Sequence, residues 1–304
     1  MIAPKPRTQF GIRQIERLRR MTVAAGYICD EGVILCADTQ ETIPGYTKTD
    51  ANKLMSFNLP DLCLVFAGAG NNAVQIDETV HEIAGKFRSS APTNGEQIRK
   101  ALREILEELF PKAHYPRQSG PEVDLLMAVQ SVDAVQLFRV SDGSIAPVHH
   151  TACIGSGVVL GTQLFQRYYN KDVSLFDAAL ISIYVLFHVK RWVDGCGGKT
   201  DISLIQRTGG RMSFMPSDEV EKLEKYCESY DDAVIGLLTA TPRNPKDRAA
   251  FDTQVEVAKQ KLIAARTSFQ DWEDLMREVA AQLGMSYEAF MNDVDEKTSA
   301  FLKT

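Results

Sequence analysis

Three side chains near the start of the chain could do chemistry together if the backbone brought them to one place: Thr22, Asp38 and Lys53. A threonine hydroxyl is a weak nucleophile until a base takes its proton. Where the threonine is the first residue, that base can be its own α-amine, which titrates near ~8 rather than near ~10 as a lysine does. A lysine held charged by an aspartate would lower, through its positive charge, the pKa of both hydroxyl and amine. This residue set suits hydrolysis through an acyl intermediate, and such chemistry asks for no metal and no organic cofactor.

The local pattern is of the kind that could gather them. Residues 22–29 alternate as a strand, Asp30-Glu31-Gly32 reads as a hairpin turn, and Val33 to Ala37 form a second buried strand that ends on Asp38. Lys53 stands at the start of a third. Asp61 to Ala67 is another apolar strand. It is followed by a helix with Ile76, Val80, Ile83, Ala84 and Phe87 on one face, then by a second helix that a Thr93-x-x-Glu96 capping box would open, with Ile98, Leu102, Ile105 and Leu109 at helical spacing. Strands follow at 123–130 and 134–140. Gly155-Ser-Gly157 opens a helix, Ser174-x-x-Asp177 caps a very apolar one expected to be buried on both sides, and 200–207 returns to strand. The order implies an α+β fold, a four-layer α-β-β-α sandwich over residues 22–215. From 216 to 304 the chain reads as a helical extension, with helices at 217–238, 247–266, 269–283 and 287–302 and no catalytic motif; apolar positions such as Trp272, Leu275 and Val279 read as packing residues.

These residues as a set resemble the proteasome β-subunit and the bacterial heat-shock-locus peptidase, the N-terminal-nucleophile hydrolases of the threonine class. The resemblance runs through Thr22, Gly26, Gly32 to Thr39, Asn52-Lys53-Leu54 and Val65-Phe66-Ala67-Gly68-Ala69-Gly70, and covers roughly residues 22 to 208. It implies that Thr22 is the nucleophile, with Asp38 and Lys53 beside it. It also implies that the Gly68 N–H is the oxyanion donor, that Ser156 of the Gly-Ser-Gly step supports the nucleophile, and that Asp194 is the supporting aspartate. Phe66 and Gly70 fall on substrate-binding positions, and a Phe at 66 implies a shallow pocket that prefers a small apolar residue before the scissile bond. A closed homo-oligomeric ring, a peptide or unfolded-protein substrate and an unfolding ATPase partner belong to the same implication. Three departures stand out: Gly197 where the family has a serine, Val23 and Ala24 where it has further threonines, and residues 1–21 ahead of Thr22, ending in Met21 rather than Gly.

Those first residues carry a competing reading. Residues 1–20 hold six Lys or Arg against one Glu, and Phe10 to Arg20 is amphipathic. Such a basic arm resembles the N-terminal helix of the non-catalytic α-type ring subunit, a structural and gating component. The remaining composition narrows the classes. With 304 residues, 44% hydrophobic, the chain can bury a sizeable core. A net charge of −6 gives no general case for nucleic acid. The six cysteines, Cys29, Cys36, Cys63, Cys153, Cys196 and Cys227, lack metal spacing and read as reduced core residues of a cytoplasmic protein. His149, His150 and His188 have no ligand neighbours, and the apolar run within 177–190 is too short to span a bilayer.

Overall fold

In the computed structural model, residues 22–42, 48–60, 62–70, 73–90, 92, 94–110, 123–131, 134–141, 143–207, 212–240, 248–260 and 263 are described. The basic arm, Thr93 and the expected helices at 269–283 and 287–302 lie outside them. The chain divides into two compact units, Met1–Glu221 and Lys222–Thr304.

The alternation of apolar residues in the first unit is satisfied by two five-stranded antiparallel sheets. One has the order β10-β1-β2-β11-β12, with β1 at Val23–Ile28, β2 at Gly32–Asp38, β10 at Thr151–Gly155, β11 at Thr200–Gln206 and β12 at Met212–Phe214. The other has the order β5-β6-β7-β8-β9, with β5 at Leu54–Asn58, β6 at Leu62–Ala69, β7 at Asp124–Ser131, β8 at Val135–Ser141 and β9 at Ser144–Val148. Strands β3 (Gln40–Thr42) and β4 (Lys48–Asp50) form a separate two-stranded ribbon.

Strands β1, β2, β6 and β7 are buried on both faces, so they read as near-continuous apolar runs. One apolar cluster joins the two sheets face to face, with Ala24, Val33, Leu35 and Ala37 meeting Leu54, Val65, Ala67 and Leu126. A second lies on the other face of the β5–β9 sheet, where Leu64, Phe66, Leu125 and Phe138 meet α1 (Ala73–Ser90) and α2 (Gly95–Leu109) through Val80, Ile83, Leu102 and Leu106. Helix α3 (Val158–Tyr168) adjoins β10, and α4 (Leu175–Trp192) lies along β1, β2 and β11.

Several expectations need adjustment. The side chain that caps α2 is Asn94, which accepts from the Gln97 N–H at 3.0 Å, one residue after the Thr93 expected from the sequence, where two residue types competent to cap stand side by side. Ser174 does cap α4, accepting from Asp177 N–H at 3.0 Å. That helix buries one face only: Ala178, Ile183, Leu186 and Val189 are buried, Tyr184 and Phe187 are half-buried and Trp192 is exposed. Strands β3, β4, β9 and β12 are short or polar, or sit at an edge, and give no apolar run to read. In the second unit, α5 (Ser217–Ala240) begins in the first unit and is followed by helix at 248–260. Among the described residues no helix is long and apolar enough to cross a membrane.

Candidate active site

Strands β1 and β2 are antiparallel neighbours with Ala24 opposite Ala37, so the start of one lies beside the end of the other. That register alone places Thr22 next to Asp38. Lys53 comes from the other sheet, one residue before β5, and reaches across because the two sheets are packed face to face here. The Thr22 hydroxyl donates to Asp38 Oδ1 at 2.6 Å, and the Val23 N–H donates to the same oxygen at 3.1 Å. The Lys53 ammonium donates to Asp38 Oδ1 at 2.6 Å, to the Gln40 carbonyl at 2.5 Å and to Thr22 Oγ.

The group is buried. Asp38 has no exposed surface, and Lys53 is 11% exposed. A carboxylate in such a place is costly unless every lone pair is met. The second oxygen, Oδ2, accepts the Gly197 N–H at 2.9 Å. Gly197 lies in the loop between α4 and β11, which runs through left-handed turns at Gly195 (φ +86°) and Gly198 (φ +72°). Thr39 and Gln40 hold this loop. Gln40 N–H donates to the Gly197 carbonyl at 3.1 Å, Gln40 Nε2 to the Gly195 carbonyl at 3.1 Å, and Lys199 N–H to Thr39 Oγ at 2.8 Å. On the other side of Thr22, its carbonyl accepts the Ser156 N–H at 2.8 Å. Gly155 beside it has φ +83°, and a Cβ there would stand 2.3 Å from the Thr22 carbonyl oxygen, so only glycine lets the two strands close at this point.

The structure thus brings Thr22, Asp38 and Lys53 into mutual contact, and treats the other expected residues differently. Ser156 contributes its backbone N–H; its side chain is exposed. Asp194 is exposed on the turn after α4, and no hydrogen bond described for the site uses its carboxylate. The Gly68 N–H is engaged by the Lys53 carbonyl in a long bond of 3.3 Å, and a Cβ at Gly68 would press on Ile76 at 2.7 Å. Phe66 is fully buried in the cluster facing α1 and α2, edge-to-face with Phe57 at 5.9 Å, so it lends no surface to an open pocket here. Period-2 alternation decides this: Val65 and Ala67 point between the sheets, and Phe66 points to the helices. Gly70 ends β6 at φ +154°.

Two further residues flank the site, Cys196, read from the sequence as a core thiol, and Asp201, which the sequence reading did not single out. Cys196 is buried, and desolvation first, then the Asp38 charge, pushes its thiol up to about 12. It is an unreactive, space-filling thiol. Asp201 is paired in register with Ala37, one row inward from Asp38, and burial raises its carboxyl above the usual range although Lys199 and Lys53 pull it down. Among the described residues no group of three or more His, Cys, Asp or Glu is placed to hold a metal ion.

The two packed antiparallel sheets are a fold shared with solved structures. The structure of an Anbu (Gly-1) mutant from Hyphomicrobium sp. strain MC1 superposes with a TM-score of 0.59 at 17% identity, covering 72% of this chain and 98% of that one. The family model for proteasome subunits matches residues 20–205, and the chain belongs to that family. Among curated relatives, a proteasome subunit beta of Methanothrix thermoacetophila is 23% identical over 66% of this chain and 95% of that protein. A proteasome subunit alpha of Aeropyrum pernix is 22% identical over 58% of this chain and 68% of that protein.

Proposed function

We propose that this chain is a threonine endopeptidase whose nucleophile is Thr22 Oγ when Thr22 is the first residue. The observation that carries the reading is the three-way contact in which Lys53 reaches both Thr22 Oγ and Asp38. In the proposed reaction Thr22 Oγ attacks a peptide carbonyl carbon while the Thr22 α-amine takes the hydroxyl proton. The ammonium of Lys53, fixed by Asp38 and Gln40, stabilises the developing alkoxide. The tetrahedral oxygen takes the Gly68 N–H in exchange for its long bond to Lys53, and collapse passes the proton from the α-amine to the leaving amine. Water activated by the same amine then hydrolyses the ester. The resemblance, rather than a contact, assigns Ser156 and Asp194 as supports of the nucleophile.

The four-layer α-β-β-α sandwich is our reading of the observed helix and sheet packings, and residues 216–304 our helical extension. Met21 suggests how Thr22 becomes terminal: a chain started at Met21 would be trimmed by an aminopeptidase, since the next residue is small. We further propose a closed ring of about six or more copies, because one heterologous contact repeated around an axis closes a ring. A cytoplasmic setting and a docked unfolding ATPase follow from the same reading. Intact-mass spectrometry of the protein from its host, with peptide hydrolysis by a chain begun at Met21, tests it. A mature chain that retains residues 1–20 and hydrolyses nothing would falsify it.

That outcome would favour a second reading, the non-catalytic α-type ring subunit. Two observations support this alternative: the basic arm, and a similarity to an alpha subunit nearly as high as to a beta subunit.

A further inference from the structure

Gln40 is a buried residue, 8% exposed, whose side chain serves no part of the reaction above. The residue nevertheless reaches both charged groups of the site, Lys53 directly and Asp38 through Gly197. Its carbonyl accepts the Lys53 ammonium at 2.5 Å. Its N–H holds the Gly197 carbonyl and its Nε2 holds the Gly195 carbonyl, both at 3.1 Å, and Gly197 in turn gives its N–H to Asp38 Oδ2 at 2.9 Å. The loop it grips turns through two left-handed glycines, a backbone with much freedom to lose when it is fixed. Its far end is held separately, by the Thr39 hydroxyl and by Lys190 Nζ on the Gly198 carbonyl at 3.1 Å. Gln40 also fills the space that a side chain at 197 would need: a Cβ there would stand 2.5 Å from Gln40 Oε1.

We propose that Gln40 is a positioning residue that couples the two ends of the Lys53–Asp38 pair: its backbone orients the ammonium, and its side-chain amide clamps the loop whose Gly197 N–H orients the carboxylate. Glycine at 197 is then a requirement of the clamp. A methyl group there would expel the amide, and loss of the amide would free the loop. Substitutions at 40 and 197 therefore break the same device and should not add.

The test is a double-mutant cycle read in two ways. Gln40→Met, which keeps volume and removes the donor, and Gly197→Ala should each lower kcat by about tenfold with KM almost unchanged, the upper range for one neutral hydrogen bond. The double variant should be no worse than either single one, rather than about a hundredfold down as independent losses would give. Independently of activity, hydrogen–deuterium exchange of the Gly197 amide should quicken about tenfold in every variant while the amides of β6 and β7 keep their rates. Unchanged exchange at Gly197, or losses that multiply, would overturn the proposal. The activity arm rests on the peptidase reading and the exchange arm does not: a wild-type chain that hydrolyses no peptide, with variants that still show the quickened exchange, leaves the clamp standing and removes only the peptidase.

Discussion

The β1–β2 hairpin carries an ion pair at each end, and the two pairs are built from the same chemistry. At the open end Lys53 meets Asp38 at 2.6 Å; at the turn end Lys171 meets Asp30 at 2.8 Å. Length does not separate them, but surroundings do. Lys171 and Asp30 are 60% and 53% exposed, so water screens them and each can let go without stranding its partner. Around them the turn is fastened mainly through backbone groups: the Cys29 N–H to the Gly32 carbonyl at 2.9 Å, Arg207 to the carbonyls of Asp30 and Cys29, and Glu31 on the Leu175 N–H at 2.7 Å. At the other end the charges are sealed in and every bond is to a named partner. A salt bridge organises chemistry when it cannot dissolve.

The largest effect that would sharpen this contrast is at the nucleophile. In a chain whose first residue is Thr22, Thr22→Ala should abolish peptide turnover with assembly intact by light scattering, whereas Thr22→Ser should keep part of the rate, since a hydroxyl remains. Next comes Lys53→Met, which leaves the Asp38 carboxylate buried and unpaired and should cost about 3–5 kcal/mol in denaturant unfolding. Adding Asp38→Asn to it should restore much of that stability and none of the activity. Gly155→Ala should cost about 1–2 kcal/mol from the left-handed backbone alone, and more because the new methyl meets the Thr22 carbonyl. Its kcat should fall further than its Tm suggests.

Smaller is a pH effect at Asp201. Its folded pKa is raised by burial, so the neutral form is the one the fold favours, and stability is lost as pH rises through that folded value. Asp201→Asn should therefore match the parent at pH values below the usual carboxyl range and exceed it in Tm near neutrality. Equal Tm at both ends of the range would show that the carboxylate is better solvated than its burial implies. Smallest of all, Lys171→Ala should leave turnover unchanged and shift Tm within error. A loss of activity there would break the comparison.

The sequence made the charged centre legible because three residue types with distinct chemistry stand at strand ends, where alternation and a hairpin turn fix their placement. It marked Gly197 only as a departure from a serine and passed over Gln40, since Gly197 meets Asp38 through a peptide N–H and the Gln40 amide meets only loop carbonyls, which no residue pattern announces. Ser156 teaches the same lesson: its contribution to Thr22 is an N–H, and any residue able to follow Gly155 could supply one. Phe66 differs: counting along β6 finds its strand, and the packing alone shows that its side chain lies on the helix-facing side. Strand β9 was unreadable because its residues are largely exposed and include Pro147, the composition of a sheet edge.

The Lys53 ammonium has three hydrogens and three acceptors, Thr22 Oγ, Asp38 Oδ1 and the Gln40 carbonyl. An amine so enclosed has no lone pair to offer to an electrophile. Acylating and carbamoylating reagents, which mark surface lysines such as Lys171 readily, should pass over Lys53 in the folded protein and find it only when the hairpin ends come apart. Its silence toward such reagents is then a chemical report, readable on an unlabelled sample, that the site is assembled.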